Sequence, residues 1–425
     1  MGGQSRRADR RIDVPPDTVI DVMIPLPVRG MIDVALRRRR RQRKYRINRK
    51  IGSGSFSEIY SATVIDQDSN QQVAIKFEKR SARRPQLQHE FKVYRVLKGC
   101  TGIGRVMYYG TYRDRKFGVD CNVMVTELFG PSLEDLFNYC GRRFSLKTTL
   151  QLADKLLERA ETLHENHLIH RDITPANFVV SPGETAAEVF CIDFGLSKRY
   201  RHPQTLQHIA YREDRSLTGT PRYASVAKHQ GKEASRRDDL ESIGYMLVYF
   251  LLGRLPWQGL KVPHGVAGTA SQKHRVILDK KTATSLPELC QGCPVEFQEF
   301  LQYCRELQFD AKPDMTYVRN LFRGLYRRHG FENSKQWDWD TRPRAEVLRL
   351  LILASRRPRA EVLRLMILGS QRRRGKYWRD DGKYIRSLDV LVRCPPEIAW
   401  HVLSYWPCVW YSWFGPTAGH GEHRS

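Results

Sequence analysis

Two short motifs in the middle of the chain constrain the fold more than any other feature. The segment at 170–177 reads HRDITPAN, and the segment at 192–195 reads IDFG. At this spacing they supply two carboxylates and one amide, those of Asp172, Asn177 and Asp193. Phosphoryl transfer needs such a set, because one carboxylate accepts the proton of the attacking hydroxyl while the amide and the second carboxylate hold magnesium. The motifs therefore predict that these two segments meet at one site.

A glycine-rich segment and a lysine lie upstream of these motifs. The segment at 51–57 reads IGSGSFS, and its glycines let a backbone approach phosphates closely, although a glycine-rich hairpin turn has the same composition. VAIK at 73–76 places Lys76 on the third predicted strand, where it can reach nucleotide phosphates. Glu90 lies beside the apolar stripe of the next predicted helix. It either turns inward to pair with Lys76 or stays exposed as an i,i+4 partner.

Hydrophobic periodicity predicts two unequal lobes, which makes the fold class α+β. Short runs of β-type residues at 45–51, 58–64 and 72–77 predict an antiparallel meander. Apolar residues from Leu87 to Leu97 then recur at helical spacing and predict a helix. Longer helical patterns follow at 148–165, 239–252, 294–307 and 315–328. A small β-rich lobe with one helix therefore precedes a larger, mainly helical lobe.

The composition is that of a globular protein with a strongly basic charge. Of 425 residues, 41% are hydrophobic and 28% are charged, which argues against wholesale disorder. Lysine and arginine number 72 against 46 aspartates and glutamates, so the formal net charge is +26. This charge favours anionic partners such as nucleic acid, acidic lipid or phosphoprotein, and it does not choose among them.

The cysteines and the apolar segments bear on cellular location. Nine cysteines is an odd and sparse count, typical of reduced thiols in the cytoplasm or nucleus. Cys290 and Cys293 form one CxxC pair, and we expect a structural role because no second pair follows at metal-site spacing. The apolar run at 242–253 is too short for a membrane helix of ~20 residues, so it predicts a buried core helix. We expect no transmembrane segment and no secretory or myristoyl address at the start of the chain.

Both ends of the chain are basic and differ from its middle. Residues 1–43 hold 11 arginines against 5 aspartates and include four prolines, which predicts a flexible basic arm. The arginine cluster at 37–44 fits nuclear import or polyanion contact, and solvated charge explains it equally well. In the basic tail at 342–425, the segment 342–355 recurs at 357–370 with 12 of 14 residues identical. An aromatic-rich end follows, and we expect a poorly ordered appendage in preference to a docking patch.

From about residue 44 to residue 339 the chain resembles a eukaryotic protein kinase, and more narrowly the casein kinase I family. Four further segments carry this resemblance: FGPSLEDLF at 129–137, LTGTPRYAS at 217–225, SRRDDLES at 235–242 and LPWQGLK at 255–261. Most protein kinases carry Ala-Pro-Glu after the activation segment, whereas this family does not, and here residues 224–226 read ASV. The resemblance implies a bilobal protein kinase fold, with an N-lobe at 44–129 and a C-lobe at 130–341.

The resemblance also implies ATP and Mg²⁺ as cofactors and assigns residues to them. The catalytic set would be Asp172, Lys76, Glu90, Asn177 and Asp193, with Asn177 and Asp193 holding the metal. The hinge from Glu127 to Phe129 would bind adenine through its backbone, and aliphatic side chains would sandwich the ring. The full ATP-binding set would be Ile51, Gly52, Ser53, Gly54, Phe56, Ile59, Ala74, Lys76, Glu127 and Phe129. Asp239 would anchor the helix that supports the catalytic loop and, as a buried group, should be fully hydrogen-bonded.

Substrate choice follows from the same resemblance. The family phosphorylates Ser or Thr preceded by acidic or phosphorylated residues, and the matching anion pocket would be Arg222, Gly259 and Lys273. Lys273 matches only if residues 263–267 are an insertion, so Arg275 competes with it. We expect acidic or phosphorylated proteins as partners, polyanion contact through the basic arm and tail, and a monomeric enzyme.

Two positions depart from the family pattern. Thr174 stands where the family has a lysine that contacts the γ-phosphate, and residues 173–176 contain no cation. Loss of such a donor slows catalysis by about 10² to 10³. Ser57 replaces the third loop glycine, and a positive φ there would strain the backbone by about 1 kcal/mol or more. The sequence therefore favours a slow serine/threonine kinase over a pseudokinase scaffold or a basic binding module.

Overall fold

The computed structural model describes most of the chain between residues 12 and 341. The described residues are 12, 14, 16–24, 41–54, 57–65, 71–114, 119–182, 188–260, 269–333 and 336–341. Several sequence predictions lie outside them: those for Phe56, the insertion at 263–267, the first half of the cluster at 37–44, and the whole tail at 342–425.

An antiparallel sheet forms the first half of the described chain. Its strands are β1 (Val19–Ile24), β2 (Arg41–Ser53), β3 (Ser57–Ile65), β4 (Gln72–Lys79), β5 (Val106–Asp114) and β6 (Val119–Glu127). They lie in the order β1-β2-β3-β4-β6-β5, and helix α1 (Leu87–Val96) packs against β5 and β6. The three predicted strands fall within β2, β3 and β4, and the predicted helix is α1.

Strand β4 shows how the sheet separates its core from the site. Val73, Ile75 and Phe77 alternate along it and are fully buried in the core of this lobe. Ala74 and Lys76 lie between them and therefore point to the opposite face, where they are only half-buried. The period of two thus fills one face with packing and gives the other face to the cleft.

The N-terminal arm contributes one strand to the sheet, which the sequence analysis did not predict. β1 pairs antiparallel with β2, from Val19 opposite Arg46 to Ile24 opposite Arg41. Ile12, Val14 and Ile20 are buried in the same core as β4. These residues of the predicted arm therefore belong to the sheet, and the flexibility of the arm stays a prediction. The sequence analysis did not predict β1, because the arm is basic and rich in proline and the strand is short. Pairing with the edge of the sheet stabilises it.

Helices dominate the second half. They are α2 (Leu133–Tyr139), α3 (Leu146–Glu165), α4 (Val226–His229), α5 (Arg236–Leu252), α6 (Ala270–Ala283), α7 (Leu286–Leu289), α8 (Val295–Glu306) and α9 (Met315–Arg328). Short strands lie among them, β7 (Leu168–Ile169) pairing with β10 (Lys198–Arg199) and β8 (Phe178–Val180) with β9 (Val189–Cys191). The four predicted helices are α3, α5, α8 and α9. Both lobes together confirm the bilobal α+β fold.

Helix α5 is the centre of the helical lobe. Its last three turns come from the apolar run at 242–253, and Ile243, Met246 and Val248 have no exposed surface. The prediction of a buried core helix is therefore confirmed. The helix starts three residues before its predicted start, and Asp238 Oδ2 accepts a hydrogen bond from the backbone N of Ser235 at 2.7 Å, which satisfies the N–H at the start of the helix.

The cysteine pair and membrane segments were further sequence questions. Cys290 is buried and Cys293 is half-buried, and burial raises their pKa to about 12 and about 11. Within the described ranges, no cluster of three or more His, Cys, Asp or Glu side chains is placed to hold a metal ion. Among the helices that the structure describes, none has the length and apolar character to cross a membrane.

Candidate active site

Lys76 joins the two lobes through two carboxylates. Its Nζ lies 2.8 Å from Glu90 Oε2 on α1 and 3.1 Å from Asp193 Oδ1 in the IDFG turn. Glu90 therefore turns inward, which settles the choice that the sequence left open. Burial opposes the charge on Lys76, but Glu90 and Asp193 outweigh it and raise the lysine pKa above its ordinary value. The ammonium is charged at any physiological pH.

Asp239 holds the catalytic loop in place from the first turn of α5. Its Oδ2 accepts hydrogen bonds from the backbone N of His170 at 2.8 Å, and its Oδ1 accepts from the backbone N of Arg171 at 2.9 Å. His164 Nε2 lies 3.2 Å from Oδ2. Burial favours the neutral acid, but His164, His170 and these bonds outweigh it and lower the Asp239 pKa. The predicted buried anchor is confirmed.

The side chain of Asp172 is fixed by contacts from two sides. Its Oδ1 accepts a hydrogen bond from the backbone N of Thr220 at 2.8 Å. Asn177 Nδ2 donates to the Asp172 carbonyl at 2.9 Å and lies 3.4 Å from Oδ2. Gly219 has a φ of +80°, and a Cβ there would lie 2.6 Å from the carbonyl oxygen of Arg171. Only glycine lets the activation segment approach the loop this closely.

Phe194 completes the link between the IDFG turn and both lobes. It is fully buried, and its ring centroid lies 4.8 Å from that of Tyr94 on α1 and 5.5 Å from that of His170. Asp193 has a φ of +61°, a conformation uncommon outside glycine, which aims its carboxylate at Lys76. The aromatic stack and the ion pair hold α1 and the turn together.

The sheet supplies the roof of the cleft. Neighbouring strands align Gly52 with Ile59, Ile59 with Lys76 and Lys76 with Met124, which makes one row across β2, β3, β4 and β6. Ala74 lies two residues before Lys76 and therefore on the same face of β4. Of the predicted ATP-binding residues, Gly52, Ile59, Ala74 and Lys76 share this face, and Ile51 is half-buried at the register shift before Gly52.

The hinge and the glycine-rich turn flank this roof. Glu127 ends β6, and the Phe129 ring packs against Phe190 with centroids 4.8 Å apart. Ser53 and Gly54 are exposed at the tip of the turn. Ser57 lies in extended backbone at the start of β3, and its carbonyl accepts from Gly54 N at 2.8 Å. The strain expected at Ser57 is therefore absent, because the strand needs no positive φ.

The donor set fits a magnesium nucleotide. The Asn177 amide donates through its nitrogen to Asp172, so its oxygen is not used in that bond. Asp193 binds Lys76 through Oδ1, and the lysine outweighs burial and lowers the carboxyl pKa, so the group is anionic. An amide oxygen and a carboxylate oxygen are ligands that Mg²⁺ prefers, and a lysine beside them suits phosphate.

The predicted anion pocket is only partly resolved by the geometry. The guanidinium of Arg222 lies over the rings of Tyr223 and Tyr249, at 5.6 and 5.8 Å from their centroids. Gly259 has a φ of +70° and open space around it. Lys273 and Arg275 are both exposed on α6, so burial does not decide between them.

Sequence reasoning missed one cation that reaches the catalytic loop. Thr174 is buried and, with the rest of residues 173–176, brings no charge. Lys228 of α4, however, donates a hydrogen bond from its Nζ to the carbonyl of Arg171 and is only 7% exposed. No motif signals this contact, because Lys228 lies more than fifty residues downstream of the loop.

Comparison with known proteins agrees with this geometry. A family model for the protein kinase domain matches residues 45–320, which is more than half of the chain. The match begins within β2 and ends within α9, so it covers both lobes and every side chain placed above at the cleft. The chain belongs to the protein kinase family.

Proposed function

We propose that the chain is an ATP-dependent serine/threonine protein kinase of the casein kinase I type. It transfers the γ-phosphate to Ser or Thr of acidic or previously phosphorylated proteins. The observation that carries the proposal is the joint placement of Lys76, Glu90 and Asp193 in one ion-paired cluster, with Asp172 and Asn177 hydrogen-bonded beside it.

Each of these side chains has a task in the transfer. Lys76, held by Glu90, binds the α- and β-phosphates, and Asn177 and Asp193 would hold Mg²⁺, which neutralises charge on the phosphates. Asp172 orients the substrate hydroxyl and accepts its proton as the new P–O bond forms and the bond to ADP breaks. The Thr220 backbone N–H keeps the Asp172 carboxylate aimed during this step.

The substrate class rests on the basic surface beside the site. Arg222 offers a planar guanidinium, and exposed cations on α6 lie beyond it in sequence. Such groups suit carboxylate and phosphate, and the formal net charge of +26 attracts acidic proteins. Acidic residues before the phosphorylated Ser or Thr would bind there.

The test is a kinase assay of the full chain with labelled ATP, Mg²⁺ and casein. We expect label on serine and threonine, lost when EDTA removes Mg²⁺ and lost in Asp172→Asn, which keeps the shape but removes the base. Asp279→Asn, on the exposed side of α6, is the matched control and should transfer at the wild-type rate. Equal labelling by wild type and Asp172→Asn would refute the proposal.

One observation favours a second function, that of a pseudokinase scaffold. Thr174 replaces the lysine that contacts the γ-phosphate in the family, and a scaffold has no need of that lysine. The two functions separate in the same assay, because a scaffold binds protein partners but transfers no phosphate. The retained metal-binding pair, Asn177 and Asp193, argues for the enzyme, since a scaffold has no need of both.

A further inference from the structure

The backbone of Arg171 in the catalytic loop is held at both its N–H and its carbonyl. Arg171 has a φ of +70°, a conformation that costs a non-glycine residue about 1–3 kcal/mol unless its surroundings impose it. Its N–H donates to Asp239 at 2.9 Å, and its Nε donates to the carbonyl of Leu196 at 2.6 Å. Its carbonyl accepts from Lys228 Nζ. The backbone of Arg171, directly before Asp172, is therefore held by an aspartate at its N–H and by a lysine at its carbonyl.

Lys228 reaches this peptide from a different element. Its own backbone is fixed, because Ser225 caps α4 and accepts from Lys228 N at 3.1 Å. Ser225 in turn donates to Asp238 at the start of α5. The position of the ammonium thus depends on the same helix start that provides Asp239. Asp239 and Lys228, which hold the two sides of Arg171, are therefore both positioned by the start of α5.

The ammonium brings charge as well as a hydrogen bond. Burial is the largest influence on Lys228, and the carboxylates of Asp239, Asp172 and Asp238 oppose it. Its Nζ contacts the neutral carbonyl of Arg171, and among the described residues no ion pair joins it to a carboxylate, so it is a buried cation that acts on Asp172 at longer range. A buried charge without a close ionic partner is costly to the fold.

We propose that Lys228 is a positioning residue for catalysis, which orients the Arg171–Asp172 peptide and supplies beside Asp172 the positive charge that Thr174 does not. This inference rests on the proposed kinase function and deepens it. It explains how a loop without its own lysine stays in a conformation suited to phosphoryl transfer. The cation comes from the helix after the activation segment instead of from the loop.

The charge of Lys228 makes the inference sensitive to pH. Burial lowers its pKa to about 8, so the ammonium form is lost as the pH rises through that value. The charged and titratable groups around it are Arg171 and Asp172 in the catalytic loop, Asp238 and Asp239 in α5, His229 in α4, Lys281 in α6, and Asp214, Arg215, Lys232 and Glu233 around the neighbouring cavity. Lys228 is the one of them that touches the Arg171 carbonyl.

The experiment is a double-mutant cycle on the full chain with Mg²⁺, ATP and casein. Lys228→Met keeps the length of the side chain without the charge, and we expect kcat to fall at least about tenfold while KM for ATP changes little. We expect kcat of the wild type to decline above about pH 8, where Lys228 loses its charge, and we expect no such decline in Lys228→Met. Lys232→Met is the matched control. It removes a lysine that lies four residues after Lys228, beyond the end of α4, and lines the same cavity, and kcat should not change.

Thr174→Lys supplies the readout that a purely structural role would not move. If Lys228 provides the missing charge, Thr174→Lys should increase kcat more in the Lys228→Met background than in the wild type. Equal gains in both backgrounds, with an unchanged pH profile, would show that Lys228 only packs and would overturn the inference. Wild-type kcat in Lys228→Met would also overturn it. Absence of transfer by the wild type itself would refute the proposed function and this inference with it.

Discussion

Lys76 and Lys228 are two lysines of the same catalytic machinery that have little exposed surface. Lys76 is half-buried, with 14% of its side chain exposed, and Lys228 is buried. The pKa of Lys76 is raised, whereas the pKa of Lys228 is lowered to about 8. Burial pushes both in the same direction, so burial does not explain the difference.

The difference lies in the distance to the nearest carboxylates. Lys76 has two within 3.1 Å, which more than offset desolvation. Lys228 touches a neutral carbonyl, and the acidic groups that act on it lie farther away. Lys76 therefore carries a permanent charge, since it stays protonated at any physiological pH, and it joins the lobes. Lys228 carries a conditional charge next to the catalytic loop, since it loses its proton as the pH rises through about 8.

The largest effect should come from Lys76. In Lys76→Met, phosphate binding loses its cation and Glu90 stays buried without a partner, so we expect kcat to fall roughly 10²- to 10³-fold. Because the Lys76 charge does not titrate near neutrality, the loss should be the same from pH 6.5 to pH 9. Steady-state kinetics at several pH values would measure both properties.

Lys92→Met is the matched control for this variant. Lys92 is exposed on α1, the helix that carries Glu90, and its replacement should leave the rate within about twofold of wild type. A Lys76→Met enzyme whose defect disappears at high pH would contradict the contrast between a permanent and a conditional charge.

The site around Lys76 could be predicted from the sequence, because each of its residues follows from the local geometry of one element or motif. A period of two places Lys76 on the cleft face of β4, and helical spacing places Glu90 on one side of α1. Asp172, Asn177 and Asp193 come from two short motifs with fixed internal spacing. Where a pattern repeats within one element, its faces follow from the residues alone.

The contact of Lys228 with the catalytic loop could not be predicted from the sequence, because it joins elements that are distant in sequence. The lysine lies on a one-turn helix, where no period can be detected, and its acceptor is a backbone carbonyl of the catalytic loop. Strand β1 was missed for a similar reason. Its partner β2 follows a long basic segment, and the six residues of β1 gain stability only from the sheet they join.

An intermediate effect should follow from adding charge to the loop. Thr174→Lys places a cation where the family has one, and we expect kcat to rise up to about tenfold, less than the 10² to 10³ of a wholly missing donor because Lys228 already supplies part of the charge. Thr174→Met is the control for side-chain length, since it adds bulk without charge. An unchanged or lower rate in Thr174→Lys alone would show that the loop does not lack positive charge.

The smallest effect concerns stability and separates the two lysines by sign. The pKa of Lys228 is about 8 in the folded state against an ordinary value of 10.5, so between these values the unfolded state binds more protons. Stability must therefore rise with pH in this window, and the buried charge costs about 3 kcal/mol at pH 7 and below. Loss of the hydrogen bond to Arg171 offsets about 1 kcal/mol of the gain when the charge is removed.

Lys228→Met should accordingly raise Tm at pH 7 by a few degrees, although it slows the enzyme. The difference from wild type should shrink between pH 8 and pH 10, where the wild-type lysine loses its charge on its own. Lys76→Met should lower Tm at pH 7, because it leaves Glu90 unpaired in the core. Thermal unfolding at a series of pH values measures all three. A lower Tm for Lys228→Met at pH 7 would mean that its ammonium stabilises the fold as that of Lys76 does, and the contrast between the two sites would fail.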